Sequence, residues 1–210
     1  MDGARSPVST PEFWQGLYAG GQDGWELGAP APALETWLDE GGAFPPSATG
    51  PPARIAVPGA GRGHDARLLA RRGYRVWGFD WAHTAIEEAR RLAAADGVDP
   101  TFEARDVFTL AETHGGFFDG VWEYTCFCAI DPARRQEYIR VLRTLLRPGG
   151  LLLACFYPLR EGTDGPPFPV SRDEIERVLA PGFVVRSAHA PARSVERRRG
   201  LEWLVLAERN

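Results

Sequence analysis

From residue 54 onward, short apolar runs alternate with stretches whose apolar positions recur at helical spacing. Residues 54–57 (Arg-Ile-Ala-Val) are the first such run. A glycine turn and a helix over about residues 64–72 follow, with Gly73 placed to close the helix in a left-handed cap. Residues 75–79, 101–104 and 118–123 repeat the strand pattern, and residues 84–95 combine helical spacing with strong helix formers. Asp131 is positioned to cap another helix, with Pro132 in its first turn and its end before Pro148-Gly149-Gly150. Residues 151–157 form a continuous apolar run of strand length, as expected at a sheet's centre. Ser171-x-x-Glu174 is a capping box opening a further helix. Residues 183–190 and 201–207 then read as two strands joined without a helix, and therefore as antiparallel neighbours. Such alternation predicts an α/β fold, a seven-stranded, mostly parallel sheet with helices on both faces.

Ahead of this core, residues 11–18 suit a short amphipathic helix, with Thr10 as N-cap and Pro11 in the first helical position. A second helix is expected over about residues 32–39, and the Gly, Pro and Ser of residues 41–52 read as a linker. Residues 1–11 read as a flexible lead-in without a signal-peptide layout. The expected organisation is one domain: an extension over residues 1–52 whose helices form a lid, and a core over residues 53–210. A length of 210 residues suffices for one such domain.

The formal net charge of −4 argues against a sequence-independent grip on nucleic acid. Arg193, Arg197, Arg198 and Arg199, beside Glu196, read as a solvated turn. No uninterrupted apolar run has the length needed to cross a bilayer, so no membrane partner is expected. Cys126, Cys128 and Cys155 sit in apolar stretches that suit buried, reduced thiols in a cytoplasmic protein. Without a further cysteine pair or nearby histidines, Cys126-x-Cys128 does not make a zinc site, and no metal is expected. A monomer is expected.

Candidate chemistry gathers where the strands end. The first strand runs into Pro58-Gly59-Ala60-Gly61-Arg62-Gly63-His64-Asp65, and Gly59 and Gly61 permit close backbone approach by a ligand at a helix N-terminus. A dinucleotide fingerprint would place its third glycine where His64 stands, so the spacing disfavours NAD. Asp80 closes the second strand, where a carboxylate can accept both hydroxyls of a ribose; it can also serve as a helix N-cap. Asp106 follows the third strand, placed to accept from an adenine amino group while Val107 packs on the ring.

With these residues in register, the chain resembles the thiopurine S-methyltransferase superfamily, and especially its plant-type halide and thiol methyltransferase branch. The motifs carrying the resemblance begin with Trp14-x-x-x-Tyr18, Gly24-Trp25-Glu26-Leu27-Gly28 and the glycine turn. They continue with Gly78-Phe79-Asp80, Asp106-Val107-Phe108, Glu123-Tyr124-Thr125-Cys126-Phe127-Cys128-Ala129-Ile130-Asp131-Pro132, Leu146-Arg147-Pro148-Gly149-Gly150 and Phe156-Tyr157-Pro158. The resemblance implies a Rossmann-like class I methyltransferase fold with an N-terminal helical lid and S-adenosylmethionine as cofactor. It implies cofactor contacts at Trp14, Tyr18, Trp25, Gly59, Asp80, Asp106, Val107 and Tyr124, to which the glycine turn adds Gly61. Tyr18 stands where plant relatives carry a second tryptophan, an aromatic face of a different shape.

The expected reaction is in-line methyl transfer to a small-molecule acceptor, a thiol or thiolate, thiocyanate or a halide, with the sulfonium attracted by aromatic faces. No general base stands out: His64 reads as structural, and His83, His114 and His189 lack a carboxylate at triad-like spacing. An acceptor that is already anionic needs none. Tyr157, after the fifth strand, is the candidate catalytic residue, donating a hydrogen bond to that anion. Cys126 and Cys128 read as core packing rather than nucleophiles. Two alternatives stay open: an NAD(P)-dependent Rossmann oxidoreductase, and a protein that binds the cofactor without turnover.

Overall fold

The computed structural model describes residues 7–42, 44–45 and 51–210. Residues 1–6, most of the expected lead-in, and residues 43 and 46–50 of the expected linker lie outside the described residues.

The strands are β1 (Arg54–Pro58), β2 (Arg75–Asp80), β3 (Thr101–Ala104), β4 (Phe118–Tyr124), β5 (Leu146–Phe156), β6 (Phe183–His189) and β7 (Trp203–Arg209). They form one sheet in the order β3-β2-β1-β4-β5-β7-β6. The five strands from β3 to β5 run parallel, while β7 pairs antiparallel with both β5 and β6. The expected α/β architecture is therefore present, with its chain reversal between β1 and β4.

Helices cover both faces because strand side chains alternate. Val121 and Leu152 point to one face, with Tyr138, Ile139 and Leu142 of α6 (Arg135–Leu145) and Ile175 of α7 (Arg172–Leu179). Trp122 and Leu153 point to the other. There they meet Leu34 of α2 (Pro32–Asp39), Leu69 of α3 (His64–Arg71) and Ile86 of α4 (His83–Asp96). Burial on both sides explains why β1 reads as a continuous apolar run, with Ile55 and Ala56 fully buried. The remaining helix at the N-terminus, α1 (Pro11–Ala19), packs on α4. Ser171 caps α7 as expected, its Oγ accepting from the Glu174 amide at 3.1 Å, but the Glu174 carboxylate bonds Arg135 and does not close the reciprocal half of the box.

Some details differ from expectation. β5 starts at Leu146, not 151, and runs through Pro148-Gly149-Gly150. Leu146 pairs with Phe118, and the register then shifts before Gly120 meets Leu151. Gly149 adopts φ +72°, and a Cβ on Gly150 would sit 2.9 Å from the Arg147 carbonyl oxygen, so turn-type residues serve this irregular strand entry. A short helix, α5 (Ala111–His114), also lies between β3 and β4, where no element was expected.

Candidate functional site

The crevice lies at the carboxyl ends of the parallel strands, where ligands bind in sheets of this kind. Gly59, Gly61 and Gly63 all hold positive φ between β1 and α3. At Gly61 the turn also lies tight under α1, since a Cβ there would be 3.0 Å from the Tyr18 hydroxyl. The turn is fixed by Asp80 at the end of β2, whose Oδ2 accepts from the Gly61 amide at 2.9 Å. Its Oδ1 accepts from the Ala82 amide at 2.9 Å, which shapes the turn ahead of α4; the N-cap position itself is Ala82, so Asp80 is not the helix N-cap that the sequence also allowed. Burial raises the Asp80 carboxyl above its ordinary range, and the Ala82, Gly61 and Trp81 amides oppose that shift. Asp106 Oδ1 accepts from the Phe108 amide at 2.9 Å and so caps the single turn Val107–Thr109.

Aromatic side chains of the N-terminal segment close over this turn. Tyr18 is buried, and its ring meets Trp25 edge-on at 5.4 Å, with Trp25 Nε1 donating to the Tyr18 hydroxyl at 3.2 Å. Trp14 meets Trp25 at 5.7 Å and donates from Nε1 to the Val8 carbonyl at 2.9 Å. Charge joins this segment to the glycine turn: Arg62 pairs with Asp23 and, at 3.2 Å, with Glu26. His64 Nε2 lies 2.9 Å from Glu26 Oε1, which also accepts from the Gly28 amide at 2.8 Å. Burial alone would raise the Glu26 carboxyl. His64, the Gly28 amide and Arg62 outweigh it and hold the group at about 2.

The far side of the crevice corrects one expectation. Arg198, read as part of a solvated turn, is 2% exposed. Its Nη1 donates to the Tyr124 hydroxyl at 2.6 Å and its Nη2 to the Trp25 carbonyl at 2.9 Å. Its guanidinium lies 5.1 Å from the Tyr124 ring centroid and 4.9 Å from that of Tyr157. Tyr124 in turn donates to Glu202 Oε1 at 2.7 Å, and Glu202 is also 2% exposed. A charged run in sequence gives no sign of this. The partners, Tyr124 and Trp25, come from segments far away in the chain.

Beneath the floor, Glu123 is buried and accepts from the Phe127 amide at 2.9 Å and from the Tyr138 hydroxyl. Burial pushes it up to about 7, against those bonds and one from the Cys126 amide. It thereby fixes the turn carrying Thr125, which holds φ +64°. Burial also raises the Cys126 thiol and pushes Cys128 up to about 12, keeping both protonated and poor as nucleophiles.

One cavity of about 610 Å³ collects these groups. Trp14, Tyr18, Trp25, Gly59, Gly61, Asp80, Val107, Tyr124 and Tyr157 all line it, as do Cys126, Cys128 and Arg198. Of the predicted site residues, Asp106 alone is not in the lining; its neighbours Arg105, Val107 and Phe108 are. Among the described residues no cluster of three or more His, Cys, Asp or Glu is arranged to hold a metal ion, and no helix is long and apolar enough to cross a membrane.

Known proteins resemble this chain in sequence and in fold. The sequence model of the family described as Thiopurine S-methyltransferase matches residues 9–208. A probable thiol methyltransferase 2 of Arabidopsis thaliana is 32% identical over 194 residues, covering 91% of this chain and 82% of the relative. A thiocyanate methyltransferase 1 of Brassica oleracea is 32% identical over 197 residues, with the same coverages of 91% and 82%. Among solved structures, the 1,6-didemethyltoxoflavin-N1-methyltransferase of Burkholderia thailandensis, with 1,6-didemethyltoxoflavin and S-adenosylhomocysteine bound, superposes with a TM-score of 0.72. It is 24% identical and is covered over 86% of its length by 95% of this chain.

Proposed function

Because the chain belongs to the thiopurine S-methyltransferase family, we propose that it transfers a methyl group from S-adenosylmethionine to a small nucleophile, a thiol or thiolate, thiocyanate or a halide, by in-line displacement. The observation that carries this reading is the single cavity in which the glycine turn, Asp80 and the aromatic lid converge.

The residues present fit such a cofactor. Each Asp80 oxygen already accepts one amide hydrogen. A carboxylate offers about four lone-pair sites, leaving acceptors for a ribose diol. The Gly61 backbone lies at the cavity wall without a side chain to block it. Val107 and Phe108 supply apolar surface for an adenine ring, and Asp106 fixes their turn. The cofactor supplies an electrophilic methyl on a positively charged sulfur. Trp14, Trp25 and Tyr124 offer that charge ring faces worth about 0.5–2 kcal/mol each.

On the acceptor side, Tyr157 is suited to donate to an anion, and the Arg198 guanidinium beside it adds positive potential. Both favour an acceptor that arrives deprotonated, so the chain needs no base of its own. The lid turn, latched through Arg62 and His64, excludes water, and holding the reactants in line can contribute about 7–11 kcal/mol. The test is a panel assay with labelled S-adenosylmethionine over thiophenol, thiocyanate and iodide, with volatile products trapped. Labelled methylated product from at least one acceptor is expected, and S-adenosylhomocysteine, not NADH, should raise the melting temperature. Stabilisation by NADH without methyl transfer would contradict the reading.

A further inference from the structure

Beside the cavity, a second buried arginine joins two irregular segments. Arg135, the first residue of α6, is 2% exposed. Its Nη1 donates to the Pro169 carbonyl at 2.8 Å and to Glu174 Oε1 at 3.0 Å. Its Nη2 donates to the Phe168 carbonyl at 2.9 Å, and the guanidinium lies 4.5 Å from the Phe127 ring centroid. The Phe168 amide donates to the Cys128 carbonyl at 2.8 Å. The segment that follows Tyr157 thus leaves the sheet, returns to pair Leu159 with Val170, and is stitched to the turn carrying Phe127 and Cys128. Cys128 from one segment and Pro166 and Pro167 from the other line the cavity.

We propose that Arg135 is a positioning residue for the acceptor side of the cavity. It carries the Phe168 and Pro169 carbonyls, and so holds Pro166-Pro167 at a fixed distance from Cys128 and Tyr157. This rests on the methyl-transfer reading above. Two features favour it over a purely structural role. A buried ion pair is weak as a source of stability, whereas a planar fork fixes geometry, and here it serves two carbonyls and a carboxylate at once. The groups facing the cofactor, Gly61 and Asp80, are held by their own bonds and owe nothing to Arg135.

The test compares wild type with Arg135→Lys, which keeps the charge and loses the fork. Acceptor KM, measured with thiophenol and thiocyanate, should rise about ten-fold or more, the effect of losing a charge-assisted hydrogen bond. The dissociation constant of S-adenosylhomocysteine should stay within about two-fold. Hydrogen exchange at the Phe168 and Val170 amides should accelerate by a similar factor, while Leu153 in the sheet keeps its protection. Unchanged acceptor KM despite faster exchange at Phe168 would overturn the proposal, and so would acceptor KM and cofactor affinity worsening together. Should the lysine variant fail to fold, Glu174→Gln loosens the same fork more gently and must shift acceptor KM in the same direction, or the proposal falls. If wild type methylates no acceptor, the methyl-transfer reading itself fails and takes this inference with it, a result distinct from turnover that ignores Arg135.

Discussion

Replacing Arg198 by methionine probes how the N-terminal segment is joined to the sheet. Methionine roughly matches the length of the side chain and removes its donors. The guanidinium makes hydrogen bonds of 2.6 Å to the Tyr124 hydroxyl and 2.9 Å to the Trp25 carbonyl. Charge-assisted bonds are worth about 1.5–3 kcal/mol each. The loss also leaves Glu202, 2% exposed, with Tyr124 as its partner and no cation behind it. Losing two such bonds costs about 3–5 kcal/mol, and that is the destabilisation expected of Arg198→Met. A domain holding about 5–15 kcal/mol remains folded at 25 °C. Glu202→Gln keeps the acceptor oxygen but strands the guanidinium. The double variant removes both charges and should cost about 1.5–3 kcal/mol less than the sum of the two single variants. Urea unfolding followed by tryptophan fluorescence reads all four proteins, since the chain carries 7 tryptophans. Additivity to within about 0.5 kcal/mol would refute the reasoning, because the two charges would then not feel each other through Tyr124.

Three further outcomes follow from the same structure. Tyr157→Phe should raise acceptor KM while leaving S-adenosylhomocysteine affinity unchanged in calorimetry; the reverse pattern would remove Tyr157 from the acceptor side. Gly63→Ala should lower stability by about 2 kcal/mol or more in urea unfolding. A Cβ there would lie 2.5 Å from Phe102 Cζ, at a φ of +72° that side chains rarely adopt, and a neutral result would refute that close packing. Glu26, held at about 2 against an ordinary 4.5, contributes stability that is full above pH 4.5 and lost as pH falls toward 2. Acid unfolding of Glu26→Gln should therefore show a shallower loss across that window, and an unchanged slope would contradict the latch.

The sheet and its crevice were legible because their signals are local. The apolar runs of β1 and of residues 151–156 fix strands whatever surrounds them, and Gly59, Gly61 and Asp80 sit at strand ends by chain order alone. Family membership, inferred from the same motifs, agrees with the matched family and its thiol and thiocyanate relatives. What local pattern hid were side chains whose environment comes from distant segments. Arg198 is buried where Tyr124 and Trp25 accept from it across the fold, with Glu202 bonded to the far side of the Tyr124 hydroxyl. Arg135 lies at the start of a helix, where an arginine ordinarily faces water, and is covered by residues 168–169 and by Glu174. The early start of β5 was masked for another reason. Pro148, Gly149 and Gly150 carry poor strand propensity, and only pairing of Leu146 with Phe118 draws them into the ladder.

The most direct test is a calorimetric titration of wild type and Asp80→Ala with S-adenosylhomocysteine, alongside thermal melts of both. Saturable binding by wild type is predicted, weakened about 100-fold or more when the carboxylate is removed, with a cooperative melt retained. Equal affinity in the two proteins, or no binding to wild type, would contradict a nucleoside seated at the carboxyl edge of the sheet.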